Sequence, residues 1–250
     1  MSNPAPHFQL SLNTDVGAIH IDVTLTFTAP WTILFGASGS GKSTILRAIC
    51  GLLPNARIFS ACAAPEGGAL FAEASVKAVE LDGNYMRVPP HCRQIAYAPQ
   101  QPALFPHLTV RDNIAFSSSL HQPANPQLAE EALSLFELHK LSHRSPAKLS
   151  GGERQRVNLA RAFARPDTRL MLLDEPFTGL DLRLRDQLIP RMQQFLAARS
   201  IPCISVTHDV DEALLLDAEV FRIDSGRILA HGPARTILAD ERTRLLNALR

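Results

Sequence analysis

The chain has 250 residues, of which 46% are hydrophobic and 20% charged, with a formal net charge of +1. That is ordinary globular composition; it excludes a disordered chain, and the near-neutral balance gives no whole-chain attraction to nucleic acid or anionic membranes. Four scattered cysteines (Cys50, Cys62, Cys92 and Cys203) form no C-x-x-C pair and have no histidine at ligand spacing, which argues against a zinc site or disulfide framework and suits a reducing cytosol.

The first ten residues hold neither a basic start nor an apolar run, so no signal peptide is expected. No stretch approaches the roughly 18 uninterrupted apolar residues of a membrane span. Any role at a membrane would therefore come through a partner. Residues 8–28 alternate loosely, as in Ala18-Ile19-His20-Ile21-Asp22-Val23-Thr24-Leu25, and read as antiparallel strands. Trp31-Thr32-Ile33-Leu34-Phe35 is a continuous apolar run, which suits a strand covered on both faces, with Trp31 as packing rather than ligand contact. A glycine-rich turn follows, then helical character over 43–53. The stretch 55–75 is rich in Ala, Gly and Pro without pattern and reads as a surface insertion. Val79-Glu80-Leu81-Asp82-Gly83 reads as a strand entering a tight turn, and 94–98 as another strand.

From residue 102 to about 165 the character changes. A loop at Pro123-Ala124-Asn125-Pro126 precedes 127–141, where Leu128, Ala132, Leu135 and Leu138 recur at helical spacing. Residues 101–165 thus form a candidate helical subdomain inserted into an α/β core of 1–100 and 166–250, the whole of 1–250 being one domain. After it, strands at 170–173 and 203–206 alternate with helices over 183–198 and from Asp209, and 220–229 reads as a hairpin turning at Ser225-Gly226. Such alternation predicts a mostly parallel sheet with helices on both faces, beside an N-terminal antiparallel β part. Lys140, His143, Arg144, Lys148, Arg154, Arg156, Arg161 and Arg165 make a basic run. Interleaved glutamates and the lack of alternating aromatics point to a solvated helical face, not a nucleic-acid surface.

Gly36-Ala37-Ser38-Gly39-Ser40-Gly41-Lys42-Ser43, followed by Thr44, matches the phosphate-binding pattern G-x-x-x-x-G-K-[ST] between a predicted strand and a predicted helix. Glycines let backbone N–H groups curl around phosphate oxygens, and the helix start adds positive potential. Lys42 can reach the β- and γ-phosphates of a nucleotide, and the Ser43 hydroxyl can ligate Mg²⁺. Leu170-Met171-Leu172-Leu173-Asp174-Glu175 is an apolar strand delivering two carboxylates at its C-terminal end, the edge where ligands sit in parallel α/β sheets. Asp174 is placed to hold Mg²⁺, and Glu175 is the candidate general base for an attacking water. These two motifs alone establish a nucleotide hydrolase of the P-loop class.

Leu149-Ser150-Gly151-Gly152-Glu153-Arg154-Gln155-Arg156-Val157, just upstream of Asp174, resembles the signature sequence of ABC ATPases. A serine hydroxyl and the N–H groups of Gly151 and Gly152 at a helix start can form a second anion site. The resemblance implies that this site grips the γ-phosphate of ATP held by a second copy, so that the active form is a homodimer. It also implies that Gln100 senses Mg²⁺ and water, that Gly179-Leu180-Asp181 communicates across the dimer, and that His208 contacts the γ-phosphate. It runs from about residue 17 to 235.

The segment Leu104-Phe105-Pro106-His107-Leu108-Thr109-Val110-Arg111-Asp112-Asn113-Ile114 is similar to bacterial importer ATPases, and Val110-Arg111-Asp112-Asn113 most resembles those that import molybdate. The resemblance implies transmembrane permease subunits and a substrate-binding protein as partners, with the chain peripheral at the cytoplasmic face of the membrane. With the chain ending at Arg250, no C-terminal regulatory β-domain is expected. A soluble ABC-type ATPase of DNA maintenance usually separates its motif halves by long coiled coils, whereas Lys42 and Asp174 lie in one short chain; a P-loop small-molecule kinase would not need residues 149–155. One departure stands out. The family usually stacks an aromatic ring on adenine, and the corresponding stretch here, near Leu12 to Val16, has none, with Phe8 displaced and Trp31 inside the core strand.

Overall fold

The computed structural model describes residues 7–17, 19–27, 29–53, 57–63, 80–81, 84–85, 90–116 and 125–248. They fall into two compact units, Met1–Arg93 with Val206–Arg250, and Gln94–Ser205.

The first unit opens with β1 (His7–Val16) and β2 (Ile19–Phe27), antiparallel in register from Phe8 opposite Phe27 to Val16 opposite Ile19. Period-two alternation sets their faces: Leu10, Leu12, Ile21, Val23, Leu25 and Phe27 are buried, while His20, Asp22, Thr24 and Thr26 are exposed. The buried β3 (Trp31–Phe35) then leads into α1 (Lys42–Cys50). That helix stops at Gly51 (φ 79°), whose left-handed backbone returns its amide to Ala48 and Arg47, so it is shorter than the expected 43–53. Arg93 finishes the helix end by donating to the carbonyls of Ile49 (2.5 Å) and Ala48 (3.4 Å).

The expected patternless insertion at 55–75 needs correction. Arg57–Ala63 is a strand, β4, paired antiparallel with β1 from His7 opposite Ala63 to Asn13 opposite Arg57, giving the order β2-β1-β4. A strand added to an existing hairpin is held by its main-chain ladder, and Arg-Ile-Phe-Ser-Ala-Cys-Ala carries too little alternation to reveal it. Residues 55–56 and 64–75 of that insertion lie outside the described residues. The short strands β5 (Glu80–Leu81) and β6 (Asn84–Tyr85) pair antiparallel where a strand and tight turn were expected.

The second unit holds β7 (Ile95–Ala98), helices α2 (Val110–Ala115), α3 (Pro126–Leu135) and α4 (Gly151–Phe163), then β8 (Leu170–Asp174), α5 (Leu182–Ala197) and β9 (Cys203–Thr207), the last running into the first unit. β7 and β8 are parallel, Ile95 opposite Leu170 to Ala98 opposite Leu173, and every residue of β8 is buried. The helical core is built on rings, with Phe163 lying 5.2 Å from both Phe136 and Phe195. The helix expected over 127–141 ends earlier, at Leu135. Glu137 adopts φ 54°, which an α-helix cannot continue through, and a single 3₁₀ turn covers His139–Leu141. Of the basic run, Lys140, His143, Arg144, Lys148 and Arg154 are exposed as expected, whereas half-buried Arg156, Arg161 and Arg165 donate to the carbonyls of Phe136, Ala103 and Ile95.

Back in the first unit, α6 (Val210–Leu215) precedes β10 (Glu219–Asp224) and β11 (Arg227–Pro233), a hairpin turning at Ser225-Gly226 as expected. β10 runs parallel to β3, with Glu219 opposite Thr32 and Arg222 opposite Phe35. Two helices, α7 (Ala234–Ile237) and α8 (Ala239–Ala248), complete an α/β fold with mostly parallel central strands and an antiparallel N-terminal part. Among the described residues no helix is long and apolar enough to cross a membrane.

Candidate active site

The loop from β3 to α1 owes its shape to three glycines. A Cβ on Gly36 would stand 2.2 Å from the Ile223 carbonyl oxygen, while Gly39 (φ 81°) and Gly41 (φ 102°) take left-handed backbones. Inside the loop, the Lys42 ammonium donates to the carbonyls of Gly36 (2.8 Å) and Ala37 (2.7 Å). Ala37, Ser38 and Gly39 are exposed, Ser40 is buried, and Ser43 and Thr44 are half-buried in the first turn of α1. Side chains cap the starts of α2 to α6, namely Thr109, Asn125, Ser150, Asp181 and Asp209. By contrast α1 starts at Gly41 with no side-chain cap. Its first-turn amides thus face a loop built of glycine and serine, the arrangement that receives anions.

In the same unit, exposed His208 sits in a turn pinned on both sides. The Thr207 hydroxyl donates to the buried Glu212 carboxylate (2.9 Å) and accepts from the Asp209 amide (3.0 Å). Asp209 in turn caps α6.

The second unit gathers the carboxylates. Asp174 ends β8 almost fully buried, and the Tyr97 hydroxyl donates to it at 3.3 Å. Glu175 follows in a left-handed backbone (φ 47°) and is half-buried. Its carboxylate accepts from the Gln100 carboxamide at 2.9 Å and from the Thr178 hydroxyl at 3.3 Å. Gln100, 75 positions away in sequence, is delivered by β7, and Asn158 steadies that delivery by donating to the Pro99 carbonyl (2.8 Å). Beyond it, buried Asn113 ties down the chain by exchanging hydrogen bonds with the Phe105 backbone.

Ser150 begins α4 in a reciprocal cap. Its hydroxyl accepts from the Glu153 amide (3.2 Å), and the Glu153 carboxylate accepts from the Ser150 amide (2.7 Å). That backbone hydrogen bond, then the serine hydroxyl, holds the Glu153 carboxyl below its usual range. The serine hydroxyl is thus engaged with Glu153 both as acceptor from its amide and as a partner of its carboxylate, and exposed Ser150 and Gly151 stand together at the start of α4. Asp181 uses its carboxylate on the Arg183 (2.9 Å) and Leu184 (3.3 Å) amides at the start of α5.

Of the residues expected from sequence, the first unit holds 36–44 and His208; the second holds Gln100, Ser150, Gly151, Gly152, Asp174, Glu175 and Asp181. Sequence reasoning missed Tyr97, Asn158, Thr207 and Glu212, which carry no motif of their own. Gln155 lay inside the quoted motif without a role. The family model described as ABC transporter matches residues 22–178. This chain belongs to the ABC transporter family. Among curated relatives within reach of that family, the molybdenum import ATP-binding protein ModC of Paramagnetospirillum magneticum is 34% identical over 232 residues, covering 92% of this chain and 60% of that protein. ModC of Pseudomonas savastanoi pv. phaseolicola is 39% identical over 210 residues, covering 83% and 54%. The chain thus spans three fifths or less of the length of these two relatives. Among solved structures, cbiO1 of Clostridium perfringens, part of the ABC transporter complex cbiONQ, aligns with a TM-score of 0.71 at 21% identity, covering 100% of this chain and 96% of that one. The dimeric bacterial ABC transporter cassette MJ0796 aligns at 0.70 and 24% identity, covering 91% and 99%. At those identities the likeness is one of fold.

Proposed function

We propose that this chain binds and hydrolyses ATP to power an importer of an oxyanion such as molybdate, working as a homodimer with nucleotide sandwiched between two copies. It would act at the cytoplasmic face of the membrane, docked on transmembrane permease subunits, with a substrate-binding protein in the same system. The observation that carries the hydrolytic reading is the 2.9 Å hydrogen bond from Gln100 to Glu175 at the exit of a buried strand. It puts a carboxylate and a carboxamide on one spot, the pair needed to orient a water. The names of the ModC relatives support the cargo.

In this reading Gly36, Ala37, Ser38, Gly39, Ser40, Gly41 and Thr44 enclose the phosphates. Lys42 exchanges its carbonyl partners for phosphate oxygens, and Ser150, Gly151 and Gly152 grip the nucleotide of the other copy. Glu175 takes a proton from water, and His208 donates to the γ-phosphate. Asp181 holds the start of α5 beside the partner copy. Among the described residues no three or more His, Cys, Asp or Glu side chains gather as a metal cage. Mg²⁺ keeps few protein ligands beside substrate phosphates, and here those would be Ser43, Gln100 and Asp174. When bound, the ion neutralises charge developing on the phosphates. The test is uptake of labelled molybdate by proteoliposomes holding the chain with its permease. ATP-driven uptake is expected; ATP hydrolysis without molybdate uptake would remove the cargo, and no hydrolysis would remove the whole reading.

A further inference from the structure

Gln155 lies near the start of α4, 3% exposed. Its carboxamide donates to the carbonyls of Pro176 (3.1 Å) and Glu175 (3.4 Å). Three residues earlier on the same helix face, Gly152 meets the same loop so closely that a Cβ would stand 2.8 Å from the Gly179 carbonyl oxygen. The stretch 175–179 is therefore seated on the first turns of α4 by one side chain and one missing side chain.

That seat matters because of what the loop carries. Glu175 holds a left-handed backbone that L-residues avoid, and such a conformation persists only where its surroundings over-determine it. The next residue is Pro176, which has no N–H to anchor the chain. Anchoring has to come through carbonyls. The Glu175 carbonyl accepts from the Thr178 amide (3.3 Å) within the loop and from Gln155 outside it.

We propose that Gln155 is a positioning residue for hydrolysis: by holding the Glu175 and Pro176 carbonyls it fixes the Glu175 backbone, and so the aim of the carboxylate at water. It rests on the hydrolytic reading above. The same two hydrogen bonds tie that aim to the helix that Ser150 begins, so a shift of the first turn of α4 on engaging an anion reaches Glu175 of the same chain.

The test uses Gln155→Met, which keeps length and apolar burial but has no N–H donor. MgATP affinity is measured by calorimetry and hydrolysis by single-turnover release of labelled phosphate. Hydrolysis at least tenfold slower is expected, with affinity within threefold of wild type. Placed on Glu175→Ala, the same substitution should slow the residual hydrolysis no further, since there is no carboxylate left to aim. Wild-type rates in Gln155→Met, equal slowing in both backgrounds, or a loss that tracks the folded fraction would each overturn the inference. Should Gln155→Met fail to fold, Gln155→Glu serves. Its carboxyl donates only when protonated, so its rate relative to wild type should recover from pH 8 to pH 6, and a flat ratio overturns the idea. An inert wild-type protein would sink the hydrolytic reading instead, so the two failures are told apart.

Discussion

The amide of Gly226 donates to the carbonyl of Ser40 at 2.9 Å, so the turn between β10 and β11 braces the glycine-rich loop between β3 and α1. The Gly226 carbonyl accepts from the Asp22 amide at 3.2 Å, which wedges the same turn against β2. Gly226 has φ 77°, and a Cβ there would stand 2.3 Å from the His20 carbonyl oxygen. Gly226→Ala should therefore cost about 1–3 kcal/mol of backbone strain, with the clash in addition. Because relief requires the turn to retreat from Ser40, MgATP should bind about tenfold more weakly as well. Thermal melts and calorimetric titration read the two effects. A lower melting temperature with unchanged affinity would mean that the turn braces the fold and not the loop.

Removal of the proposed base gives a sharper expectation. Glu175→Gln should still bind MgATP but hydrolyse it about a hundredfold or more slowly, the range general-base groups contribute. With turnover blocked, ATP should drive the protein into a dimer holding two nucleotides, visible by size-exclusion chromatography. Wild-type turnover would take Glu175 out of that role.

How much of this was legible beforehand depends on what kind of interaction holds each part. The places of the loop at 36–43, between a strand and a helix, and of the carboxylates at 174 and 175, at a strand's end, could be read because glycine spacing and an apolar run mark them. β3 and β8 could be read because strands covered on both faces are apolar throughout. β4 could not, since main-chain pairing with β1 leaves no strong side-chain pattern. The end of α3 was hidden in the backbone of Glu137, which no hydrophobic period reports. Contacts such as Tyr97 to Asp174 and Asn158 to Pro99 join residues far apart in sequence through single polar atoms, and such pairs are invisible until the chain is folded.

Ser150 caps α4, and its proposed grip on the nucleotide of a second copy can be tested apart from that cap. Ser150→Arg should leave ATP binding by the monomer largely intact while abolishing dimerisation and turnover. It also removes a helix cap, at a cost of about 0.5–2 kcal/mol. Ser150→Asp separates the effects, because aspartate caps a helix as well as serine does but presents negative charge to an incoming phosphate. Its melting temperature should stay near wild type while ATP-driven dimerisation is lost. Mixing Ser150→Arg with Lys42→Ala leaves at most one intact composite site per heterodimer, so the mixture should stay below half of wild-type turnover. Unchanged ATPase activity in Ser150→Arg would defeat the sandwich.

The last expectation concerns the base of the nucleotide. Along β1, Leu12 and Thr14 point into the core, Asn13 and Asp15 are exposed, and Val16, half-buried opposite Ile19, is the apolar side chain left from the stretch where a stacking ring was expected. Phe8 pairs with Phe27 at the end of the hairpin away from Gly17, and Trp31 is buried in β3. Three residues past Gly17 stands the His20 ring, half exposed, with Nδ1 2.7 Å from the Asp15 carboxylate. Stacking of a base on an aromatic ring is worth about 1–3 kcal/mol in nucleic-acid binders. An aliphatic contact from Val16 supplies part of that and distinguishes purines poorly, since it offers no hydrogen bond to a base edge. Phosphate and Mg²⁺ contacts should then dominate affinity, and ATP and GTP should bind within about tenfold of each other, or 1.4 kcal/mol. Calorimetric titration of both nucleotides into Glu175→Gln, which avoids turnover, measures the ratio. A hundredfold preference for ATP would mean that some group hydrogen-bonds the adenine edge, which stacking alone, open to any base, does not do, and a return to tenfold in His20→Ala would identify it.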